Sequence, residues 1–379
     1  MTTPFCFFVE VQTSSLPWRP MLHSPFTATL PLAGLATENP EQFHNARQNF
    51  AELLEAGYYQ EMDGEAFYLL EITGPQGAVS YGICGLIDTL DYGGADGLIR
   101  PHEATLKARE ARQKESFLQS THFIKPVLLT CPAYPALQNK MVNRCQTSQP
   151  DLTFLSGEGN HIRLFAIKDP LERAELAALI GNLPTPVAVA DGHHRISTAR
   201  QLATNAATAE RFARIPAVLI PADSLVIDSY LCSITDTTLA GETVLGALGE
   251  FFTIECVQKA ERPEFAGRWL LAKGNRIYNL IVRRSDQRPG TAWFDDVVLP
   301  TVFNITDSTS DPRWSATPAG RGVEVMQELA REQPEAWHFL PPPVDMGIFF
   351  SYLQKRKIFP PKSTRFLPRI PSGLVVHSL

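Results

Sequence analysis

The residues with the plainest chemical meaning are Asp191-Gly192-His193-His194-Arg195, inside the stretch VAVADGHHRISTAR at 187–200. An apolar run, Val187 to Ala190, stops at Asp191, and a helix-compatible segment follows from about Ile196 to Ala203. A strand that breaks at a glycine turn and restarts as a helix is a way to build an anion site. The glycine lets the backbone approach a ligand. The first helical N–H groups are unpaired, and the helix dipole adds partial positive charge there. His193, His194 and Arg195 add side-chain donors suited to phosphate. The plainer alternative is an Asp-Gly turn with Asp191 capping the helix. Three adjacent cationic or titratable side chains exceed what a turn needs, which favours a bound anion.

Three further clusters carry candidate chemistry. In Arg100-Pro101-His102-Glu103, followed by Thr105, Lys107 and Arg109, Arg100 and His102 can face an anionic ligand, with Glu103 as base or metal ligand. The competing reading is a helix start from Glu103 to about Gln119. Pro101 lies just before it, where a missing N–H costs little, and Glu103 favours the helix dipole. HEATL at 102–106 is not a zinc-protease motif, which needs histidine where Leu106 stands. Asp307-Ser-Thr-Ser-Asp311-Pro-Arg313 reads as a turn in preference to a metal loop. Pro361-Lys362-Ser363-Thr364-Arg365 is a basic, hydroxyl-bearing loop that can reach a phosphate or carboxylate, or be a solvated tail.

The elements that must hold these clusters follow from periodicity and punctuation. Pro40 to Ala56 has apolar residues at three- and four-residue steps, a helical pattern, ending at Gly57. Ala66–Thr73 and Val79–Asp88 read as strands of an antiparallel hairpin. Further strands are expected in 1–36 as short pieces, and at Pro126–Thr130, His161–Ile167, Ile215–Pro221 and Leu225–Tyr230. Pro170–Ile180 reads as a helix, and 131–150 as a loop or short helix. Later come helices near Thr243–Phe252, Gly322–Glu332 and Val344–Gln354, with strands near Trp269–Ala272, Tyr278–Val282 and Ala336–Phe339. Mixed elements with hairpins indicate α+β with mixed, partly antiparallel sheets.

The 379 residues, 44% of them hydrophobic, suffice for a large core. A net charge of −6 argues against a sequence-independent nucleic-acid binder, which carries a basic face. With no run of about 18 apolar residues, no membrane span is expected. The N-terminus lacks the basic region of a signal peptide and meets Glu10 early. Six scattered cysteines without a CxxC read as reduced, cytoplasmic and mostly core. No P-loop, Rossmann fingerprint, nucleophile elbow or protein-kinase pair is present. His23, His44, His122, His161, His338 and His377 lack metal-ligand spacing.

The blocks GYYQEMDGEAFYLLEI, GICGLIDTLDYGGADGLIRPHEAT, KPVLLT, HIRLFAIKD, VADGHHR, IPAVLIPADSLVIDSY and PPKSTRFLPRIPSGLVVHS together resemble a bacterial and archaeal family of unknown function. Its members are described as SerK-like phosphotransferases. Through DGHHR that family is related to free-serine kinases and to the ParB/sulfiredoxin-like superfamily. The resemblance implies a ParB/sulfiredoxin-like nucleotide-binding core. It implies that Asp191 is the acid facing substrate or Mg2+. Gly192, His193, His194 and Arg195 become the phosphate cradle, with Ser197 and Thr198 beside it. Glu103 is the candidate base and a second candidate metal ligand. The start departs from the family: its arginine-proline segment and proline-tyrosine-aspartate loop are missing, and Trp18-Arg19-Pro20 is a faint echo.

The leading expectation is a small-molecule kinase moving a phosphoryl group from ADP or ATP, with Mg2+, to a hydroxyl of a small metabolite. Free L-serine heads the acceptors. The alternative is a non-catalytic protein that binds a nucleotide or phosphometabolite. The third is a metal-dependent hydrolase on Asp191, His193, His194 and Glu103, although adjacent histidines point apart. A nucleotide and a hydroxyl-bearing metabolite are the expected partners, and a homodimer is left open. The expected division is an N-terminal α+β portion at 1–125, a core at 126–235, and a C-terminal α+β portion at 236–379 packing back on the core.

Overall fold

Strands alternate their side chains between two faces, so a strand apolar at nearly every position must be covered on both. The computed structural model, which describes residues 22–94, 97–105, 107–235, 239–283 and 288–379, is built around such strands. Among the described residues, nine strands form one sheet: β1 (Leu22–Ser24), β2 (Phe67–Thr73), β3 (Val79–Asp88), β4 (Ile99–Arg100), β5 (Val127–Thr130), β6 (Leu152–Leu155), β7 (His161–Ile167), β8 (Val187–Asp191) and β9 (Arg214–Leu219). Their order is β4-β8-β5-β9-β3-β2-β7-β6, with β1 on β3. The expected hairpin forms with Tyr68 opposite Cys84. Parallel pairs join β8 to β4 and β9 to β5, and the other pairs are antiparallel. The sheet draws strands from both sides of position 125.

In β2, Tyr68, Leu70 and Ile72 enter one core while Phe67 and Leu69 enter the other. The second face is covered by α1 (Lys107–Gln119), α2 (Pro135–Thr147), α3 (Pro170–Gly181) and α4 (His193–Ala203). These helices contribute residues such as Phe117, Met141, Ile180 and Ile196. The first face is covered partly by the far end of the chain. There α5 (Met346–Gln354) and the segment after it bring in Phe349, Phe359, Phe366 and Leu374. Each such buried side chain contributes about 1.5–3 kcal/mol of transfer free energy, so this return is a strong tether.

A second sheet, antiparallel throughout, holds β10 (Tyr230–Ile234), β11 (Phe252–Val257), β12 (Arg268–Lys273), β13 (Arg276–Val282), β14 (Trp314–Pro318) and β15 (Trp337–Leu340). It runs β11-β13-β12-β15-β10-β14 and has its own aromatic core around Trp269, Phe294 and Phe339. Between the sheets, Val226–Asp228 pairs with Arg365–Leu367. The architecture is the expected mixed α+β, with partly antiparallel sheets.

Several boundaries differ from the sequence expectations. The helix expected from Glu103 begins at Lys107 among the described residues. Glu103 instead forms a bridge with Phe359, whose N–H donates to His102 O at 2.7 Å. Residues 135–147, within the stretch expected as a loop or short helix, form a helix of 13 residues. Pro40–Phe43 is a 3₁₀ turn and the helix proper is Ala46–Glu55. The N-terminal strands expected in 1–36 are partly seen at Leu22–Ser24 and Thr29–Pro31, but Ala33–Glu38 is helical. Residues 1–21, with Cys6 and the Trp18-Arg19-Pro20 echo, lie outside the described residues. Cys84, Cys131, Cys145 and Cys232 are buried and free, and Cys256 is exposed. No described helix is long and apolar enough to cross a membrane.

Candidate anion-binding site

The strand–turn–helix read from VAVADGHHR is present. Strand β8 ends at Asp191, Gly192 is the helix N-cap, and α4 begins at His193, three residues earlier than expected. Gly192 has φ 104°, a conformation side chains rarely adopt. A Cβ there would lie 2.7 Å from Arg195 Nη2. Both the turn and the close guanidinium therefore require glycine. No side chain caps α4, and the N–H of Ile196 is the one that returns to Gly192 O, at 3.1 Å. The helix thus opens without a carboxylate over its first N–H groups, the arrangement that suits an anion.

Asp191 is not the cap. Its Oδ2 accepts from Arg195 Nη2 at 2.7 Å, its Oδ1 from Arg369 Nη2 at 3.1 Å, and Lys125 Nζ stands 3.8 Å from Oδ2. Burial alone would raise its pKa. The charges of Arg195, Lys125 and Arg369 outweigh burial and hold the carboxyl far below the usual range. Arg195 faces inward: its Nη1 also donates to the carbonyls of Lys125, at 2.6 Å, and of Pro126. The expected phosphate clamp is therefore a strut that fixes Asp191 and the start of β5.

The two histidines at the centre are also committed. His102 Nδ1 faces the carbonyl of Val189, which only accepts, so this nitrogen carries the proton. Its Nε2 is then free to accept the Thr364 hydroxyl at 2.8 Å. The His102 N–H donates to His193 Nε2 at 3.3 Å, and the rings meet edge to face at 4.3 Å. Burial pushes the His102 pKa down to about 4. Burial, then His102, pushes His193 well below its ordinary value. Both are neutral near pH 7, so neither adds positive charge to the site. His194 is partly buried at the mouth, lowered by burial and by Arg109.

Glu103 completes the centre. Its Oε2 accepts the N–H of Lys362 at 3.1 Å. Burial raises its pKa, offset in part by Lys362, while the Asp191 charge raises it further. Glu103 and Asp191, 88 positions apart in sequence, line one cavity of about 570 Å³. His102, Gly192, His193, His194 and Arg195 line it too. So do Arg47, Arg109, Arg112, Lys125, Lys362 and Arg369, giving seven cationic side chains against two carboxylates. That excess selects a ligand with several negative charges.

Some expected residues are placed elsewhere. Arg100 Nη1 donates to Gly94 O at 3.3 Å and is not among the lining residues. Ser197 donates to Glu110 at 2.5 Å, tying α4 to α1, and Thr198 is fully buried. The Asp307–Arg313 loop closes on itself: Asp307 accepts from Thr309 and Ser310, and Asp311 pairs with Arg313 at 2.7 Å. The basic C-terminal loop does reach the cavity, through Lys362 and Thr364. Arg47, Arg112, Lys125, Tyr230 and Arg369 were not foreseen. Each is isolated in sequence, and only the fold collects them.

Magnesium was expected on Asp191 and Glu103. Both Asp191 oxygens are taken by guanidinium groups, so Asp191 does not fit a direct ligand. Among the described residues no group of three or more His, Cys, Asp or Glu is placed to hold a metal, as the hydrolase reading would need.

No curated protein matches the sequence. Solved structures give loose likenesses over 76–78% of the chain. SbnI with a C-terminal truncation, from Staphylococcus aureus, is 12% identical with TM-score 0.44, covering 76% of this chain and 85% of its own. A conserved hypothetical protein from Pyrococcus furiosus is 15% identical with TM-score 0.40, covering 76% and 93%. A free serine kinase in complex with AMP is 15% identical with TM-score 0.41, covering 78% and 91%. A family profile matches residues 23–304, and the chain belongs to that family, described as Protein of unknown function (DUF1015).

Proposed function

We propose that this chain transfers a phosphoryl group from ADP or ATP to a hydroxyl of a small metabolite, with free L-serine the leading acceptor. One observation carries the reading. Glu103, a carboxyl with a raised pKa, shares a cavity with the open end of α4 and a ring of lysines and arginines. Phosphoryl transfer needs positioning and charge neutralisation more than covalent chemistry. The α4 N–H groups, Lys125, Lys362 and Arg369 hold the donor phosphates. The acceptor oxygen attacks the terminal phosphorus as the bond to the leaving phosphate oxygen breaks. Glu103 takes the hydroxyl proton, a role that favours a pKa shifted toward neutrality. Asp191 is a positioning residue: it holds Lys125, Arg195 and Arg369 together at one edge of the cavity.

The test is a product assay with ADP or ATP and a panel of hydroxy amino acids and sugars, read by phosphorus NMR. The wild type should phosphorylate at least one of them. Glu103→Gln should bind nucleotide within about twofold of wild type and lose about 100-fold or more in turnover. Nucleotide binding without any product favours the second reading, a non-catalytic nucleotide- or phosphometabolite-binding protein. The inward commitment of His102, His193 and Arg195 is compatible with it. Absence of nucleotide binding sinks the first reading, and failure to bind any phosphometabolite as well sinks the second.

A further inference from the structure

A second cavity, of about 510 Å³, opens between the end of the β2–β3 hairpin and the Val226–Asp228/Arg365–Leu367 ribbon. It shares no lining residue with the anion cavity, and its volume lies in the range of small-ligand pockets. Its walls are largely apolar, with Ile72, Ile227 and Leu367 inside and Val226, 63% exposed, at the rim. An exposed valine at the lip of an apolar cleft is surface left open, not core.

The polar groups sort by location. Ser80 and Asn160 are each 6% exposed, line the cavity, and have no side-chain hydrogen bond among the described residues. Neither is among the fully buried unpaired polar atoms of the described residues, so both present their polar atoms to the cavity, where a ligand can take the place of water. On the other side, Arg365 reaches Asp228 and Glu158, each at 3.4 Å, and Arg262 also pairs with Asp228. Arg365 Nε is buried with no partner. The two arginines and two acids cancel, so this cavity does not select a polyanion. It suits a molecule that carries both charges on one end and an apolar body on the other.

We propose that this cavity binds a free α-amino acid with an apolar side chain. The carboxylate takes the Nη donors of Arg365, whose contacts with Asp228 and Glu158 are long at 3.4 Å, together with Ser80 and Asn160. The ammonium takes Glu158, and the side chain covers Val226 and Leu367. The site does not rest on the phosphoryl-transfer reading. Along one short segment, Lys362 and Thr364 line the anion cavity while Arg365 and Leu367 line this one. Variants can therefore separate the two.

The experiment is calorimetric titration of the full chain, without nucleotide, by L-leucine, L-isoleucine and L-phenylalanine. L-glutamate, 4-methylpentanoate and isoamylamine serve as probes lacking one feature each. One-site saturable binding of at least one apolar amino acid is expected, with each control weaker by about tenfold or more. Val226→Trp, which fills the cavity from its exposed rim, should abolish binding with an unchanged circular dichroism spectrum. Asn160→Leu should weaken it by about tenfold or more, and Arg369→Ala should leave it within about twofold. No saturable heat from any of the three up to about 10 mM overturns the proposal. So does binding that survives both Val226→Trp and Asn160→Leu, or that is lost in Arg369→Ala, which would place the amino acid in the anion cavity.

Discussion

On the proposed nucleotide reading, Lys125 should make the affinity of the anion cavity a function of pH. Its side chain is 19% exposed, and its ammonium lies 3.8 Å from Asp191. Burial, then the Arg195 and Arg369 charges, push its pKa down to about 8, even though Asp191 opposes them. A bound phosphate adds a negative neighbour and restores the lysine toward its ordinary value of about 10.4. At pH 7 the free protein already holds the proton, and binding needs none. At pH 9 only about one free molecule in ten holds it, so binding must take one up. The affinity for ADP or ATP should then fall about tenfold between pH 7 and pH 9, or about 1.4 kcal/mol. Calorimetry at pH 7, 8 and 9, at fixed ionic strength because exposed charges are screened, measures the fall. Repeating it in two buffers of different ionisation heat counts the protons, from about half a proton at pH 8 to nearly one at pH 9. Lys125→Arg keeps its charge throughout, so it should bind almost independently of pH over this range. A flat wild-type profile, or an equal fall in Lys125→Arg, would refute the reasoning.

Two further outcomes follow from the same centre. Gly192→Ala places a Cβ 2.7 Å from Arg195 Nη2 at φ 104°. It should lower stability by about 1–3 kcal/mol and weaken nucleotide binding; a melting temperature and affinity equal to wild type would remove the turn from the argument. His102 has a folded pKa of about 4 against an ordinary 6.5. The unfolded chain therefore binds a proton in that window that the folded chain refuses. Stability is full above pH 6.5 and is lost as pH falls toward 4, by up to about 3 kcal/mol. Urea unfolding at about pH 7.5 and 4.5 should show this loss, and His102→Gln should show a smaller one.

The turn at Asp191–Arg195 was legible in the sequence because everything that makes it lies within one short stretch. An apolar strand, a glycine that must take positive φ, and a helix follow in order. The roles of its side chains were not legible, because those depend on distant partners. Arg195 reads as a phosphate donor until the carbonyls of Lys125 and Pro126 arrive to occupy it. Glu103 reads as a first-turn helix residue until Lys362, 259 positions later, donates to it. Lys125 and Arg369 carry no local signal at all, since lone cations look like solvated surface. The hairpin β2–β3 and strand β7 were legible from apolar runs bounded by turn residues. Strand β6 at Leu152–Leu155 was not expected, and the helical run Gly290–Trp293 to Leu299–Phe303 carries glycine and proline, which hid it.

The return of the chain's far end to the first core has a consequence for how such proteins are cut and compared. The family profile stops at residue 304, yet Lys362, Thr364 and Arg369 belong to the anion cavity. Phe349, Phe359 and Phe366 seal one face of the large sheet from the same side of that boundary. A fragment trimmed to the span of the family profile would keep the motif and discard part of its electrostatics. Its Asp191 would lose Arg369, and its first core would open to water. The stretch that the family profile spans is thus shorter than the stretch that encloses the cavity.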